Sequence, residues 1–329
     1  MSSRVEYYDF LRGVAIIMVV GIHTFASSSL DSIYGFISML VREVLNCAVP
    51  IFLAISGFFC GKKILRDQNA KFAFWKKQIP KIYIPALIWS VPYFVLNIIG
   101  NDGVFGIGEQ ILALFTCSYS IYYFIALIIQ YYLLLPVLQK HGSVMMPISV
   151  ILSFVSIISI TYVTEIKGVE LPVILYAGPF TTWFVFFMSG VYLSTRTATY
   201  TIKHAIFLII MGLMLECVET YWLNTYHGGG YGIKFSAFLY SIGIVLLILS
   251  PKLKEAYKTN MITSMIAYLG KISFGIYLIH YFTIKVFDIL LPIKSWLFSW
   301  LLVLTVTSAV VVSARKILPD YLNRYLGFS

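Results

Sequence analysis

Runs of about 20 mostly apolar residues recur from one end of this chain to the other. SVILSFVSIISITYV (149–163) and LLVLTVTSAVVV (301–312) are two of them. Such segments fit a bilayer, where a helix satisfies its own backbone and an apolar surface faces lipid without cost. The 329 residues are 60% hydrophobic and only 12% charged, with a mean hydropathy of +0.87, whereas a soluble domain carries about 25% charged residues. A membrane barrel would need segments of about ten residues that alternate apolar with polar, and these runs do not alternate. The expected class is therefore an all-α integral membrane protein.

Ten transmembrane helices fit the hydropathy, at roughly 8–27, 37–60, 82–99, 111–138, 144–164, 179–194, 204–223, 233–250, 266–291 and 295–314. They leave no room for a soluble domain, so residues 1–329 are expected to form a single membrane domain. The first run lacks a small-x-small cleavage site and reads as a retained helix rather than a signal peptide. Orientation follows from the connections. Between spans two and three lie Lys62, Lys63, Arg66, Lys71, Lys76, Lys77 and Lys81, while ASSSLDS and GNDGVFGIGEQ on either side carry no lysine or arginine. The positive-inside rule then places this basic segment and both termini (Arg4; Arg315, Lys316 and Arg324) in the cytoplasm. The cluster exceeds what orientation needs and would attract an anionic ligand or anionic lipid. Its Phe74 and Trp75 fit a stretch lying at the interface. Cys47, Cys60, Cys117 and Cys217 lack metal-ligand spacing and read as buried free thiols, so no metal is expected.

Ionisable side chains inside a bilayer are costly and tend to face a cavity. Arg12 and His23 are 11 residues apart, which puts them within about 20° of one helix face and about 16 Å apart along it. Both would line one cavity, Arg12 at its cytoplasmic mouth and His23 deeper, with Asp9 three residues before Arg12 and able to pair with it. A snorkelling anchor for Arg12 and a helix–helix hydrogen bond for His23 are the structural alternatives. Ser273, Tyr277 and His280 share one face of a late helix, with His280 at a depth like that of His23. Glu216 and Glu219 lie near the outer end of span seven, suited to an acceptor hydroxyl, to a cation or to pairing with Arg42. Tyr122, Tyr123, Tyr131 and Tyr132 could line a sugar path, although aromatic belts also collect tyrosine. Composition alone leaves an enzyme, a transporter and a scaffold open.

The segment YYDFLRGVAIIMVVGIHTF resembles the opening helix of the membrane acyltransferase-3 family, with its Arg, ten residues, His signature at Arg12 and His23. PIFLAISGFF, WKKQIPKIYIPALIW, IYYFIALIIQYYLLLPVL and LGKISFGIYLIHYF resemble further elements of that family in the family's order, over about residues 7–285. Two departures stand out: Ile121, Tyr122 and Tyr123 replace a His-Leu-Trp-like triplet, and Lys77 and Lys81 stand where arginines are common. The resemblance implies a stand-alone enzyme of the bacterial cytoplasmic (inner) membrane, an O-acyltransferase and most often an O-acetyltransferase. It would move an acyl group from cytoplasmic acetyl-CoA, or another short acyl-CoA, to a hydroxyl of a cell-surface polysaccharide or lipid-linked sugar. No permanently bound cofactor is implied. The implied partners are acyl-CoA, the glycan acceptor and membrane lipids, with no nucleic acid.

On the same resemblance, the catalytic group is His23 with Arg12, Tyr277 and His280. The acyl-CoA contacts are Arg12, Lys77, Lys81 and Ser56, and the acceptor contacts are Glu219 and Tyr123. A transporter or flippase for a sugar, amino acid or glycan intermediate is the alternative function.

Overall fold

The computed structural model describes residues 5–25, 32–100, 106–196, 201–227, 233–291, 293 and 295–329, and among these every regular element is a helix. In chain order they are α1 (Glu6–Thr24), α2 (Ile33–Val44), α3 (Ala48–Gly61), α4 (Gln68–Gly100), α5 (Ile107–Thr116), α6 (Tyr123–Lys140), α7 (Gly142–Thr161) and α8 (Val173–Tyr176). Then follow α9 (Phe180–Leu193), α10 (Ile202–His227), α11 (Phe235–Ile248), α12 (Pro251–Ala256), α13 (Met261–Lys271), α14 (Ser273–Leu290), α15 (Trp296–Ile317) and α16 (Asp320–Tyr325). Six helical stretches among the described residues are long and apolar enough to cross a membrane: 33–61, 123–140, 142–166, 202–225, 273–290 and 296–317. Arg4 and the connecting residues 26–31 and 101–105, which enter the orientation reading, lie outside the described residues.

Three expected spans are broken. Span two contains a 3-10 turn at Leu45–Cys47. Pro50 has no N–H to offer Asn46, and its ring crowds that carbonyl, which loosens the helix at this turn. Span four stops at Cys117, which adopts the left-handed conformation (φ 54°), and resumes at Tyr123. Span nine bends at Ile272 (φ −106°, ψ 6°), between α13 and α14. By contrast, the basic segment and span three merge into the 33-residue helix α4, about 50 Å long. Its lower part docks on α6 instead of lying free at an interface. Phe74 is buried, and the Trp75 indole donates to the Tyr132 carbonyl at 2.8 Å.

Helix pairs that frame the interior meet backbone to backbone. Gly13 of α1 faces the Ile266 carbonyl of α13, and Gly270 of α13 faces the Asp9 carbonyl of α1. Gly57 of α3 and Gly190 of α9 do the same against Phe187 and Ala54. At all four positions a Cβ would overlap main-chain atoms, so close approach requires glycine here. Helix α9 is buried continuously from Thr182 to Val191, as expected of a helix that is apolar on every side and packed within others. Cys47, Cys60 and Cys117 are buried free thiols, whereas Cys217 is exposed on α10.

Candidate active site

A cavity of about 760 Å³ runs between α1, α2, α3, α6 and α14. Arg12, His23, Ser56, Tyr123 and Tyr277 all line it. The helical phase that puts Arg12 and His23 on one face is therefore realised: both face the same space, about 16 Å apart along α1. Near the N-terminal end of α1, Arg12 donates to Asp9 Oδ1 at 3.2 Å, and its guanidinium lies 5.1 Å from the centroid of the Phe59 ring. Asp9 is fully buried and Arg12 is not, so the carboxylate orients a guanidinium that still reaches the cavity.

His23 and His280 meet across α1 and α14, with ring centroids 5.3 Å apart and planes tilted by 45°. Sequence could place them at similar depth; only the packing of α1 on α14 brings them together. His280 is fully buried, and its Nδ1 is 2.7 Å from the Tyr277 carbonyl oxygen and 3.3 Å from that of Ile276. A carbonyl can only accept, so Nδ1 bears a proton in this contact, and the ring directs Nε2 away from these carbonyls. That Nε2 is buried and has no hydrogen-bond partner among the described residues. Tyr281 closes the far side of His23, with centroids 5.9 Å apart.

Tyr277 donates its hydroxyl proton to the Ile121 carbonyl at 2.6 Å, and Tyr122 donates to the Leu278 carbonyl at 2.6 Å. These reciprocal bonds lock α14 to the turn before α6, which sets the height of His280. The Ser273 hydroxyl is turned back to the Gly270 carbonyl at 2.9 Å. Lys77 and Lys81 sit on exposed faces of α4 and are not among the cavity-lining residues. Glu219 also lies off the lining: its Oε2 accepts from the Ser236 backbone N–H at 2.8 Å and adjoins the Ser236 hydroxyl.

The end of the cavity away from Arg12 holds groups that the sequence reading did not select. Arg42, Asn46 and Lys234 line it. Arg42 Nη1 donates to Glu43 Oε1 at 2.8 Å and to Asn46 Oδ1 at 2.9 Å. Lys234 Nζ bridges Glu43 Oε2 at 2.6 Å and Glu216 Oε1 at 2.7 Å, and also reaches the Thr220 hydroxyl. The Ser236 hydroxyl, with its single proton, lies between Glu219 Oε2 and Glu216 Oε2, 2.5 Å from the latter. The partner that sequence reasoning offered Glu216 or Glu219 was Arg42; the structure pairs Arg42 with its neighbour Glu43 and gives Glu216 to Lys234. The available signal was the presence of opposite charges inside apolar runs, Arg42–Glu43 in span two and Lys234 at the edge of span eight.

Among known families, one described as an acyltransferase domain matches residues 5–314. No curated protein and no solved structure matches the chain.

Proposed function

The chain belongs to the acyltransferase domain family and is a multi-pass membrane acyltransferase, and from that premise we propose that it is an O-acyltransferase, most specifically an O-acetyltransferase. The donor is acetyl-CoA or another short acyl-CoA entering from the cytoplasm, and the acceptor is a hydroxyl of a surface polysaccharide or lipid-linked sugar reaching the cavity from the other side. The protein lies in a bacterial inner membrane with ten spans and both termini cytoplasmic. The observation that carries the proposal is the His23–His280 pair, set beside one cavity with Arg12 toward the opposite end.

Arg12 holds an anionic part of the donor, and its position is fixed by Asp9. The separation of about 16 Å along α1 is of the order of an extended pantetheine arm, so the thioester reaches His23 when the charged end stays at Arg12. His23 takes the proton of the acceptor hydroxyl while that oxygen attacks the thioester carbonyl. The C–S bond then breaks, and the proton returns to the leaving thiolate, giving an ester and the free thiol. His280 stands behind His23 with its Nε2 directed by the Nδ1 bond, and Tyr277 holds that helix in place through Ile121. Ser56 and Tyr123 line the path. Lys77 and Lys81 contribute long-range attraction for the donor from α4, and Glu219 supports the acceptor end through Ser236.

The test uses purified full-length protein in nanodiscs with radiolabelled acetyl-CoA and a hydroxylated glycan acceptor. His23→Ala retains donor binding and loses transfer to glycan; transfer at the native rate would refute the assignment. Label that stays on the wild-type protein without acceptor, and leaves when acceptor is added, identifies His23 as an acyl carrier instead of a base. A transporter would neither cleave the thioester nor transfer from it.

A further inference from the structure

A second pocket, of about 690 Å³, opens at the end of the bundle where α3, α6 and α9 finish. It shares no lining residue with the His23 cavity. Six cations from four chain segments line it: Lys62, Lys63 and Arg66 after α3, Lys71 on α4, Lys140 at the end of α6 and Arg196 beyond α9. No carboxylate lines it, and among the described residues none of the six forms an ion pair. The positive-inside tendency explains the sign of charge on this face. It does not explain why Lys140 and Arg196, far apart in sequence, converge with the loop after α3.

The pocket is built to hold its shape. Gln139 donates from one Nε2 to the carbonyls of Cys60, Gly61 and Lys63, the last at 2.8 Å, which ties the loop after α3 to α6. Arg196 donates to the Ser143 hydroxyl at 2.7 Å and stacks 4.6 Å from the Tyr192 ring centroid. Lys62 sits 4.1 Å over the Phe58 ring centroid. Burial, and to a lesser extent the Lys254 charge, lower the pKa of the Lys62 ammonium below the ordinary lysine range. Six like charges lining one pocket repel, and a polyanion relieves that repulsion while gaining charge-assisted hydrogen bonds from the arginines.

We infer that this pocket is a phosphate site, taking a ligand that carries a diphosphate or two neighbouring phosphates. Two sources share that chemistry: the nucleotide end of a soluble thioester donor and the headgroup of an anionic phospholipid. The site is asked only to bind phosphate, so it stands or fails separately from acyl transfer at His23.

The full-length protein in a neutral detergent is titrated calorimetrically with inorganic pyrophosphate at low salt. Wild type binds; Lys140→Gln/Arg196→Gln weakens binding about tenfold or more, and Arg196→Lys weakens it less because the charge remains. Lys316→Gln removes a charge from α15 outside the pocket and leaves binding unchanged. Absence of binding to wild type overturns the inference, and so does an equal effect of Lys316→Gln and the double variant. Displacement of pyrophosphate by adenosine 3′,5′-bisphosphate assigns the site to a nucleotide. Displacement only by phosphatidylglycerol added in nanodiscs assigns it to a lipid headgroup. If neither displaces it, the pocket merely collects counter-ions and the inference fails.

Discussion

Lys234→Met removes the cation that bridges two buried carboxylates, and its cost can be worked from the contacts. Glu43, Glu216 and Lys234 are each at most 2% exposed, so solvent does little to screen them. After the substitution, Glu43 keeps Arg42 at 2.8 Å and Asn46 at 2.8 Å. Glu216 loses Lys234 and retains hydroxyl neighbours, Ser236 at 2.5 Å and Thr220 at 3.5 Å. Breaking a buried pair by removing one member typically costs about 3–5 kcal/mol. The surviving hydroxyl bonds place this case toward the lower end, about 3 kcal/mol. The buried thiols of Cys47, Cys60 and Cys117 supply the assay, since thermal unfolding in detergent exposes them to a fluorogenic maleimide, while exposed Cys217 sets the baseline. The expected result is a clear fall in the unfolding midpoint for Lys234→Met. Glu216→Gln restores most of it in the double variant, with a coupling energy of about 2 kcal/mol. If Lys234→Met is as stable as wild type, or the two substitutions add independently, the residues do not act as one network and the reasoning is wrong.

Further outcomes follow from other contacts. Arg12→Ala reduces photolabelling by an acyl-CoA analogue about tenfold or more, and Arg12→Lys recovers part of it because charge returns without the planar fork. Tyr277→Phe deletes the bond to the Ile121 carbonyl and costs about 1 kcal/mol of stability; transfer falls less than in His280→Ala, measured on the same glycan acceptor. Gly270→Val drives a side chain into the α1 backbone at Asp9, so full-length protein accumulates poorly and unfolds earlier in the thiol assay, whereas Gly108→Ala, with open space around it, changes neither.

Helical membrane character and the Arg12–His23 face were legible because both depend on period and composition, which are local properties. The breaks at Cys117 and Ile272 were not: hydropathy continues smoothly through both, and only the backbone angles of the folded chain mark them. The meeting of His23 with His280 depends on how α1 crosses α14, information that no single helix contains. Lys77 and Lys81 were given as acyl-CoA contacts by the resemblance; the unbroken run of α4 leaves both on exposed faces, off the lining of the His23 cavity. Lys234 escaped notice because it sits at a span edge, where a lysine ordinarily reaches water. Here it turns inward to Glu43 and Glu216.

That inward turn bears on how the chain enters a membrane in the first place. Helix α10 brings Glu216 and Glu219 into the apolar phase, a burden for a helix inserting alone. Their partners Thr220, Lys234 and Ser236 belong to α10, to the residue before α11 and to the first turn of α11, so two consecutive helices carry most of their own neutralisation. Glu43 and Arg42, which are made about 170 residues earlier, also arrive as a matched pair. The late step of biogenesis is therefore the docking of two locally balanced units, and neither needs to wait in lipid with a bare charge. The exception is the brief stage at which α10 has left the ribosome and Lys234 has not: Glu216 is then without its cation, and that is the stage at which an insertase or chaperone should be found holding the chain.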